Sequence, residues 1–237
     1  FISRVRPILM ILRIGRLPIA LTNASTAKPS KRGLSISTKS NPNIAIVGSG
    51  SIGVGWAVLF ASAGSSIRLY DPETSQRESA LARIRERLEL LKSHQLLEES
   101  VDVVLNRCSI ADSLEQAVVD ADFIQECGPE VVEVKRELFT QIEAASKSDA
   151  IIASSSSAIS PSQFTSQMKN PHRALVVHPG NPPYLILVGE VVPSPLTSEE
   201  IVSRTCAILE SAGMSAVVVR KEPQGFVFNR LQGAILR

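Results

Sequence analysis

The chain has 237 residues, of which 44% are hydrophobic and 20% are charged. This composition excludes collagen, coiled coil and wholesale disorder, and it is typical of a globular protein with one full domain and some additional length. The three cysteines, Cys108, Cys127 and Cys206, form no CxxC pair. We therefore expect neither a disulfide framework nor a metal site.

The net charge of +2 is unevenly distributed along the chain. Residues 1–43 carry eight basic side chains and no acidic one, so the remainder has 17 basic and 23 acidic side chains and a net charge of −6. The basic isoelectric point comes from residues 1–43, so it is not evidence that the folded part binds nucleic acid. We expect no nucleic-acid partner.

Residues 1–42 are rich in Arg, Ser and Thr and contain no acid, a composition typical of a mitochondrial transit peptide. A disordered tail and an extension of the gene model are the alternatives, so a mitochondrial location is expected with a cytoplasmic one as the alternative. Arg13 and Arg16 interrupt the apolar run, which predicts no membrane span. Because the first residue is Phe1, we expect the natural chain to begin upstream.

From Asn43 onward, short apolar strands alternate with amphipathic helices. The pattern predicts strands at 43–47, 66–70, 122–125, 150–153, 174–177, 185–192 and 215–219. It predicts helices at 52–63, 74–94, 131–146 and 198–212. This alternation is typical of an α/β fold of the Rossmann type, with a doubly wound and mostly parallel sheet.

A last apolar helix is predicted from Phe226 to Arg237, after the break at Pro223-Gln224-Gly225. A helix that is still running at the last residue predicts the start of a second, helical domain that is cut short. The expected domains are therefore a basic leader at 1–42, a Rossmann-type α/β domain at 43–222 and the start of a helical domain at 223–237.

The segment Gly48-Ser49-Gly50-Ser51-Ile52-Gly53 is a GxGxxG motif between a predicted strand and a predicted helix. The first glycine allows a tight turn, the second lets a pyrophosphate approach the backbone, and the third lets the helix pack closely on the strand. The amides of Ser51 and Ile52 are then placed to meet the phosphates at the positive end of the helix. The motif predicts a dinucleotide site.

Asp71 follows the second predicted strand, 18 residues after Gly53. A carboxylate at this distance is expected to accept a hydrogen bond from the ribose 2′-hydroxyl and to repel a 2′-phosphate. NAD is therefore the expected cofactor, in preference to NADP. FAD is an alternative, and so is an ordinary strand–turn–helix in which Asp71 serves as a cap.

Five further motifs follow the glycine loop in order. They are ECGPE at 126–130, SSSS at 154–157, HPGNPPY at 178–184, GEVVP at 189–193 and GFVFNR at 225–230. With the loop, this ordered set resembles the 3-hydroxyacyl-CoA dehydrogenase family, and most of all its lambda-crystallin branch, whose enzymatic member is L-gulonate 3-dehydrogenase. The resemblance covers about residues 43–237. It implies an NAD-dependent dehydrogenase with a helical second domain that completes the substrate cleft and forms a homodimer.

The resemblance implies four catalytic residues. His178 matches the family's catalytic histidine, Glu190 its partner carboxylate, Ser157 the serine beside the substrate oxygen and Asn229 an asparagine that holds the substrate. Oxidation of a secondary alcohol requires removal of the hydroxyl proton, and an imidazole oriented by a carboxylate is suited to that step. Read without the family, the four would be a strand-end histidine, its neighbour, a loop serine and a surface amide.

Glu130 and Lys135 match residues that the family uses near the nicotinamide ribose. From the residues alone they are charges at the start of the predicted helix 131–146, where Glu130 suits the helix dipole. Gly180 and Gly189 stand where the family carries larger apolar residues, which predicts a looser pocket.

Two classes of function therefore remain. The first is an enzyme that oxidises the 3-hydroxyl of a small hydroxy acid, carried either as a CoA thioester or as a free sugar acid such as gulonate. The second is a non-catalytic, crystallin-like protein that binds NAD. The presence of His178, Glu190, Ser157 and Asn229 together favours the enzyme. An S-adenosylmethionine enzyme would share the glycine loop, but no motif supports it.

Overall fold

The computed structural model describes residues 41–236, so the predicted leader at 1–42 lies outside the described residues except for its last two. The strands are β1 (Asn43–Val47), β2 (Ser66–Tyr70), β3 (Cys108–Ile110), β4 (Phe123–Glu126), β5 (Ile151–Ser154), β6 (Ala174–Pro179), β7 (Val188–Pro193) and β8 (Ser215–Val218). The helices are α1 (Ser51–Ser62), α2 (Thr74–Ser93), α3 (Val101–Leu105), α4 (Leu114–Val118), α5 (Val132–Ala145), α6 (Pro161–Thr165), α7 (Glu199–Ser211) and α8 (Phe228–Ile235), with a 3₁₀ turn at Pro171–Arg173.

The eight strands form one sheet in the order β3-β2-β1-β4-β5-β6-β7-β8. All neighbouring strands pair in parallel except β6 and β7, which are antiparallel. The first strand, β1, lies inside the sheet. The next two, β2 and β3, are added on one side of it, and β4 to β8 are added on the other side. This is the doubly wound, mostly parallel sheet that the sequence predicts, and the fold class is confirmed.

Helices cover both faces of the sheet, and the side chains of β1 show how the core is divided. Ile44 and Ile46 point to the face covered by α1, α2 and α7. Ala45 and Val47 point to the face covered by α4, α5 and α6. Since successive side chains of a strand face opposite sides, a strand buried on both faces reads as a continuous apolar run.

The structure differs from the predicted elements in its shortest pieces and in β7. The elements β3, α3, α4 and α6 have three to five residues each, too few for a periodic pattern, and were not predicted. The strand predicted from Leu185 begins only at Val188. The reason is a turn, because the carbonyl of Pro182 accepts the amides of Leu185 and Ile186.

The last predicted helix is also shorter than expected, since α8 covers Phe228–Ile235 rather than 226–237. Before it, Gly225 and Phe226 both adopt positive φ angles, of 72° and 49°. Among the described residues, no helix has the length and apolar character needed to cross a membrane.

Candidate active site

The predicted site residues gather where the parallel strands end. The glycine loop follows β1, Asp71 follows β2, Cys127 and Gly128 follow β4, and Ser155–Ser157 follow β5. The strand order reverses beside β1, because β2 lies on one side of it and β4 on the other. In open α/β sheets, ligands bind in the crevice outside the carboxyl ends at such a reversal.

The three glycines of the loop have different surroundings. Gly48 has a φ of +101°, and a Cβ there would lie 2.8 Å from the carbonyl carbon of Cys127. A Cβ on Gly53 would collide with the carbonyl oxygen of Gly48, so the absence of a side chain lets α1 pack on the loop. A Cβ on Gly50 would meet no protein atom within 4 Å. The space above Gly50 is therefore open to a ligand.

The start of α1 is suited to an anion. Its N-cap is Gly50, which supplies no capping side chain, and its first turn contains no acid. The first amides of a helix have no partner within the helix, and the dipole favours negative charge there. These residues fit the pyrophosphate of a dinucleotide, with Ser51 and Ile52 as the donors.

Asp71 is 9% exposed and ties the glycine loop to β2. Its Oδ2 accepts from the amide of Ser49 at 2.7 Å, and its Oδ1 accepts from the amide of Glu73 at 3.0 Å. An ionised carboxylate has about four acceptor positions, so capacity remains for a ribose hydroxyl. The contacts orient the carboxylate beside the loop, where the sequence places it.

Two arginines on α2 reach the same loop, and the sequence reading did not single them out. Arg83 Nη2 donates to the carbonyl of Ser49 at 2.7 Å, and Arg87 Nη2 donates to Ser51 Oγ at 3.2 Å. Their spacing could have indicated a shared contact, because residues four apart lie on the same face of a helix.

A cavity of about 570 Å³ joins the glycine loop to the predicted catalytic residues. Its lining includes Ile52 of the loop together with Glu130, Ser157, His178 and Asn229. The structure thus brings all four predicted catalytic positions to one place, because Glu190 contacts His178 directly. Further lining residues that the sequence reading did not assign to the site are Ser155, Ile186, Phe228 and Gln232.

His178 and Glu190 are direct neighbours across the antiparallel pair β6–β7. His178 Nδ1 lies 2.8 Å from Glu190 Oε2, and the two residues are only 8% and 4% exposed. The other carboxylate oxygen, Glu190 Oε1, accepts the amides of Val227 and Phe228 at 2.7 and 2.9 Å. A carboxylate opposite Nδ1 favours the neutral imidazole that has its proton on Nδ1, and in that form Nε2 is the acceptor nitrogen.

Ser157 and Asn229 come from different elements and meet in the cavity. Asn229 Nδ2 on α8 donates to the carbonyl of Ser157 at 3.0 Å. The segment that carries Ser157 is held by Glu130, whose Oε1 accepts the amides of Ala158 and Ile159 at 3.1 and 3.2 Å. Glu130 thus lines the cavity but directs its carboxylate at this segment.

Lys135 does not line the cavity, so the structure does not support its predicted place beside the nicotinamide ribose. It is 1% exposed, and its Nζ lies 2.9 Å from both carboxylate oxygens of Glu126, which is fully buried. Glu126 also accepts the amide of Gly128 at 2.6 Å. The buried pair fixes the turn after β4, a role that a charge near the start of a helix does not reveal in sequence.

The two glycines that predict a looser pocket are in fact closely packed. A Cβ on Gly180 would collide with Cγ2 of Ile186, and a Cβ on Gly189 would lie 2.8 Å from Met214 Sδ. Neighbouring side chains therefore fill the space that the missing side chains would occupy, and this prediction is wrong.

A part-buried polar network around Ser155 forms one wall of the cavity. The hydroxyl of Ser155 accepts from Trp56 Nε1 at 3.0 Å and from Gln125 Nε2 at 2.8 Å, and it lies 3.2 Å from Cys127 Sγ. Burial raises the pKa of the Cys127 thiol to about 12, so the thiol stays protonated near neutral pH and is not a nucleophile. In the part of the chain that the structure describes, no group of three or more His, Cys, Asp or Glu side chains is arranged to hold a metal ion.

Comparison with known proteins agrees with this geometry. Residues 43–222 match the family described as "3-hydroxyacyl-CoA dehydrogenase, NAD binding domain". The human lambda-crystallin homolog is 40% identical over 195 residues, which are 81% of this chain and 61% of that protein. The L-carnitine dehydrogenase of a Pseudomonas species is 37% identical over 193 residues, 81% of this chain and 59% of that protein.

Among solved structures, the 3-hydroxybutyryl-CoA dehydrogenase of Escherichia coli superposes with a TM-score of 0.76 at 29% identity, covering 81% of this chain and 40% of that one. The present chain thus spans about three fifths of the length of its lambda-crystallin relatives. The matched residues include the glycine loop and Asp71, and NAD is the cofactor of the matched domain. The predicted family is confirmed: the chain belongs to the 3-hydroxyacyl-CoA dehydrogenase family.

Proposed function

We propose that this protein is an NAD-dependent dehydrogenase that oxidises the 3-hydroxyl of a small hydroxy acid. The observation that carries the proposal is the contact of 2.8 Å between His178 Nδ1 and Glu190 Oε2, at the wall of a cavity that opens onto the glycine loop. A buried carboxylate behind an imidazole fixes the ring and stabilises its protonated form, which is what a base for an alcohol proton requires.

Four residues at or behind the cavity wall have assigned tasks in this proposal. His178 Nε2 accepts the hydroxyl proton, while Glu190 stabilises the imidazolium that forms. The hydroxyl of Ser157 donates to the substrate oxygen, and Asn229 holds both the serine segment and the substrate. NAD⁺, when bound, would accept the hydride that leaves the substrate carbon. The first amides of α1 and the carboxylate of Asp71 would hold that cofactor in place.

The substrate class is proposed from the relatives. Those at 37–40% identity are lambda-crystallins and L-carnitine dehydrogenases, and the second name refers to a free 3-hydroxy acid. The solved structure at 29% identity acts, by its name, on a CoA thioester. We therefore place a free hydroxy acid first and a 3-hydroxyacyl-CoA second.

A decisive experiment replaces the base in the full-length protein. We expect His178→Ala to lower kcat roughly 10²- to 10⁴-fold, the contribution typical of a general base, while NADH binding measured by calorimetry changes less than about twofold. The matched control is His172→Ala, because His172 is exposed and lies outside the cavity. Undiminished turnover in His178→Ala would contradict the assignment.

The same assay separates the two classes of function. L-Gulonate, L-carnitine and acetoacetyl-CoA are tested in parallel, with the change in NADH as the signal. Turnover of any of them supports the enzyme and identifies its substrate class. Tight NADH binding with no turnover of any would favour a crystallin-like protein that binds NAD without catalysis, which the 40% identity to lambda-crystallin makes the second candidate.

A further inference from the structure

The turn from Gly225 to Phe228, between β8 and α8, has an unusual backbone. Gly225 has a φ of 72° and Phe226 a φ of 49°. A positive φ on a bulky residue is strained and persists only where the surroundings compensate. The ring of Phe226 is fully buried, and its centroid lies 5.7 Å from that of His178. The strained residue therefore sits against the proposed base.

The geometry of this turn directs two consecutive amides at one carboxylate oxygen. Val227, which follows the left-handed Phe226, has right-handed angles of −96° and −44°. Successive N–H groups in such an alternation converge and form a concave site for an anion. Here the anion is Glu190, whose Oε1 accepts the amides of Val227 and Phe228 at 2.7 and 2.9 Å.

Glu190 thus has a separate task for each oxygen. Oε1 is fixed by the backbone of the turn, and Oε2 faces His178 Nδ1 at 2.8 Å. If Oε1 were free, the carboxyl group would rotate, and neither oxygen would be held opposite the imidazole. The other ionisable side chains that line the same cavity are Glu130 and Cys127, and Glu130 already accepts hydrogen bonds from the Ser157 segment.

We infer that the turn at 225–228 is a positioning element that sets the tautomer of His178 through Glu190. The inference rests on the proposed role of His178 as the base. With the turn in place, Glu190 Oε2 holds the proton on Nδ1 and leaves Nε2 free to accept a proton. When the turn is lost, His178 reverts toward the Nε2–H form that neutral imidazole prefers in water, and that form cannot act as the base.

The test compares two variants at one position. Phe228 is the first residue of α8, a helix position at which a proline removes an amide that has no partner within the helix. Phe228→Pro therefore deletes a donor to Glu190, and Phe228→Ala deletes the same ring but keeps the donor. Tautomers are read from ¹⁵N imidazole shifts at pH 8 in the 237-residue chain, with His94 and His172 as internal references.

We expect the Nδ1–H pattern of His178 in the unaltered chain and in Phe228→Ala, and loss of about half of it or more in Phe228→Pro. Unchanged references and a dispersed amide spectrum show that the proline variant is folded. The same Nδ1–H pattern in a folded Phe228→Pro would overturn the inference. Failure of the proposed function has a different signature, namely full turnover in His178→Ala, which leaves the tautomer comparison untouched.

A second arm covers the case in which the proline variant does not fold, since a proline disfavours the αR angles of Val227. If the turn holds Glu190, then Glu190 holds the turn, because coupling free energies are reciprocal. Glu190→Ala should speed hydrogen exchange at the amides of Val227 and Phe228 by about tenfold or more, and leave that of Ala111, bonded to Leu69 across the sheet, unchanged. Equal exchange at Val227 and Phe228 with and without Glu190 would refute the coupling.

Discussion

The carboxylate of Glu130 accepts hydrogen bonds from four groups of the segment that carries Ser157. These donors are the hydroxyl of Ser156 and the amides of Ser157, Ala158 and Ile159. Burial alone would raise the pKa of Glu130, but the hydrogen bonds from Ser156, Ala158 and Ile159 and the charge of Lys135 hold it below the ordinary value. The ionised carboxylate is therefore part of what shapes the serine segment.

This pKa shift predicts how stability depends on pH. A carboxyl whose pKa is depressed by folding contributes stability that is present above the unfolded pKa, near 4.5, and is lost as the pH falls through the folded value. We expect Glu130→Gln to be less stable than the unaltered chain at pH 7, with the difference shrinking below pH 4.5. Urea unfolding at several pH values measures this difference in the free energy of unfolding. The matched control is Glu137→Gln, on the exposed face of α5. A difference that stays constant with pH would contradict the argument.

The role of a residue could be predicted from sequence where its partners lie close in the chain. It could not be predicted where the partners are distant in sequence. The glycine loop and Asp71 were recognisable because a strand, a turn and a helix lie together in the chain. The pairing of His178 with Glu190 came from the family resemblance, since nothing in the residues predicts that β7 runs antiparallel to β6. The burial of Lys135 against Glu126 was missed because a charged residue near a helix start normally faces solvent.

At the scale of the element, two glycines at the start of α1 have different tasks, one in packing and one in binding. The third glycine lets the helix approach the loop, whereas the second leaves room for the cofactor. The backbone of Gly50 has a φ of −62°, which any residue adopts without strain. The two glycines therefore lend themselves to a matched pair of substitutions that distinguishes the two effects.

We expect Gly50→Ala to unfold at the same denaturant concentration as the unaltered chain but to bind NADH about tenfold more weakly, because its methyl group projects toward the pyrophosphate. Gly53→Ala should lose binding and also about 1–3 kcal/mol of stability, since its methyl group has to displace the Gly48 carbonyl. Urea unfolding and calorimetry give both quantities. Equal stability of the two variants would show that close packing at Gly53 is not what requires glycine.

At the scale of the whole molecule, the strand order places the glycine loop and Asp71 at the carboxyl ends of neighbouring strands, in a sheet that helices cover on both faces. A ligand that binds only the folded state raises stability by about 2.7 kcal/mol when its concentration is 100 times Kd. For a domain of this size, that corresponds to a rise in Tm of roughly 5–10 °C.

We therefore expect NADH at saturating concentration to raise Tm by several degrees, and NADPH at the same concentration to raise it much less, because Asp71 opposes a 2′-phosphate. Thermal unfolding followed by circular dichroism measures both shifts. Asp71→Asn removes the charge and keeps the shape of the side chain. It should reduce the difference between the Tm shifts caused by NADH and by NADPH. Equal shifts from the two nucleotides in the unaltered chain would show that Asp71 does not set the preference.

Trp56 is the only tryptophan of the chain, and it is hydrogen-bonded to a residue that lines the cavity. Its indole is fully buried on α1, stacks on Phe60 and donates to Ser155, which lines the cavity. Tryptophan emission overlaps the absorption of reduced nicotinamide, so energy passes from this indole to bound NADH. This chain therefore carries its own optical probe. All of its tryptophan fluorescence comes from one indole beside the cavity, and quenching of that fluorescence would measure NADH binding without any label.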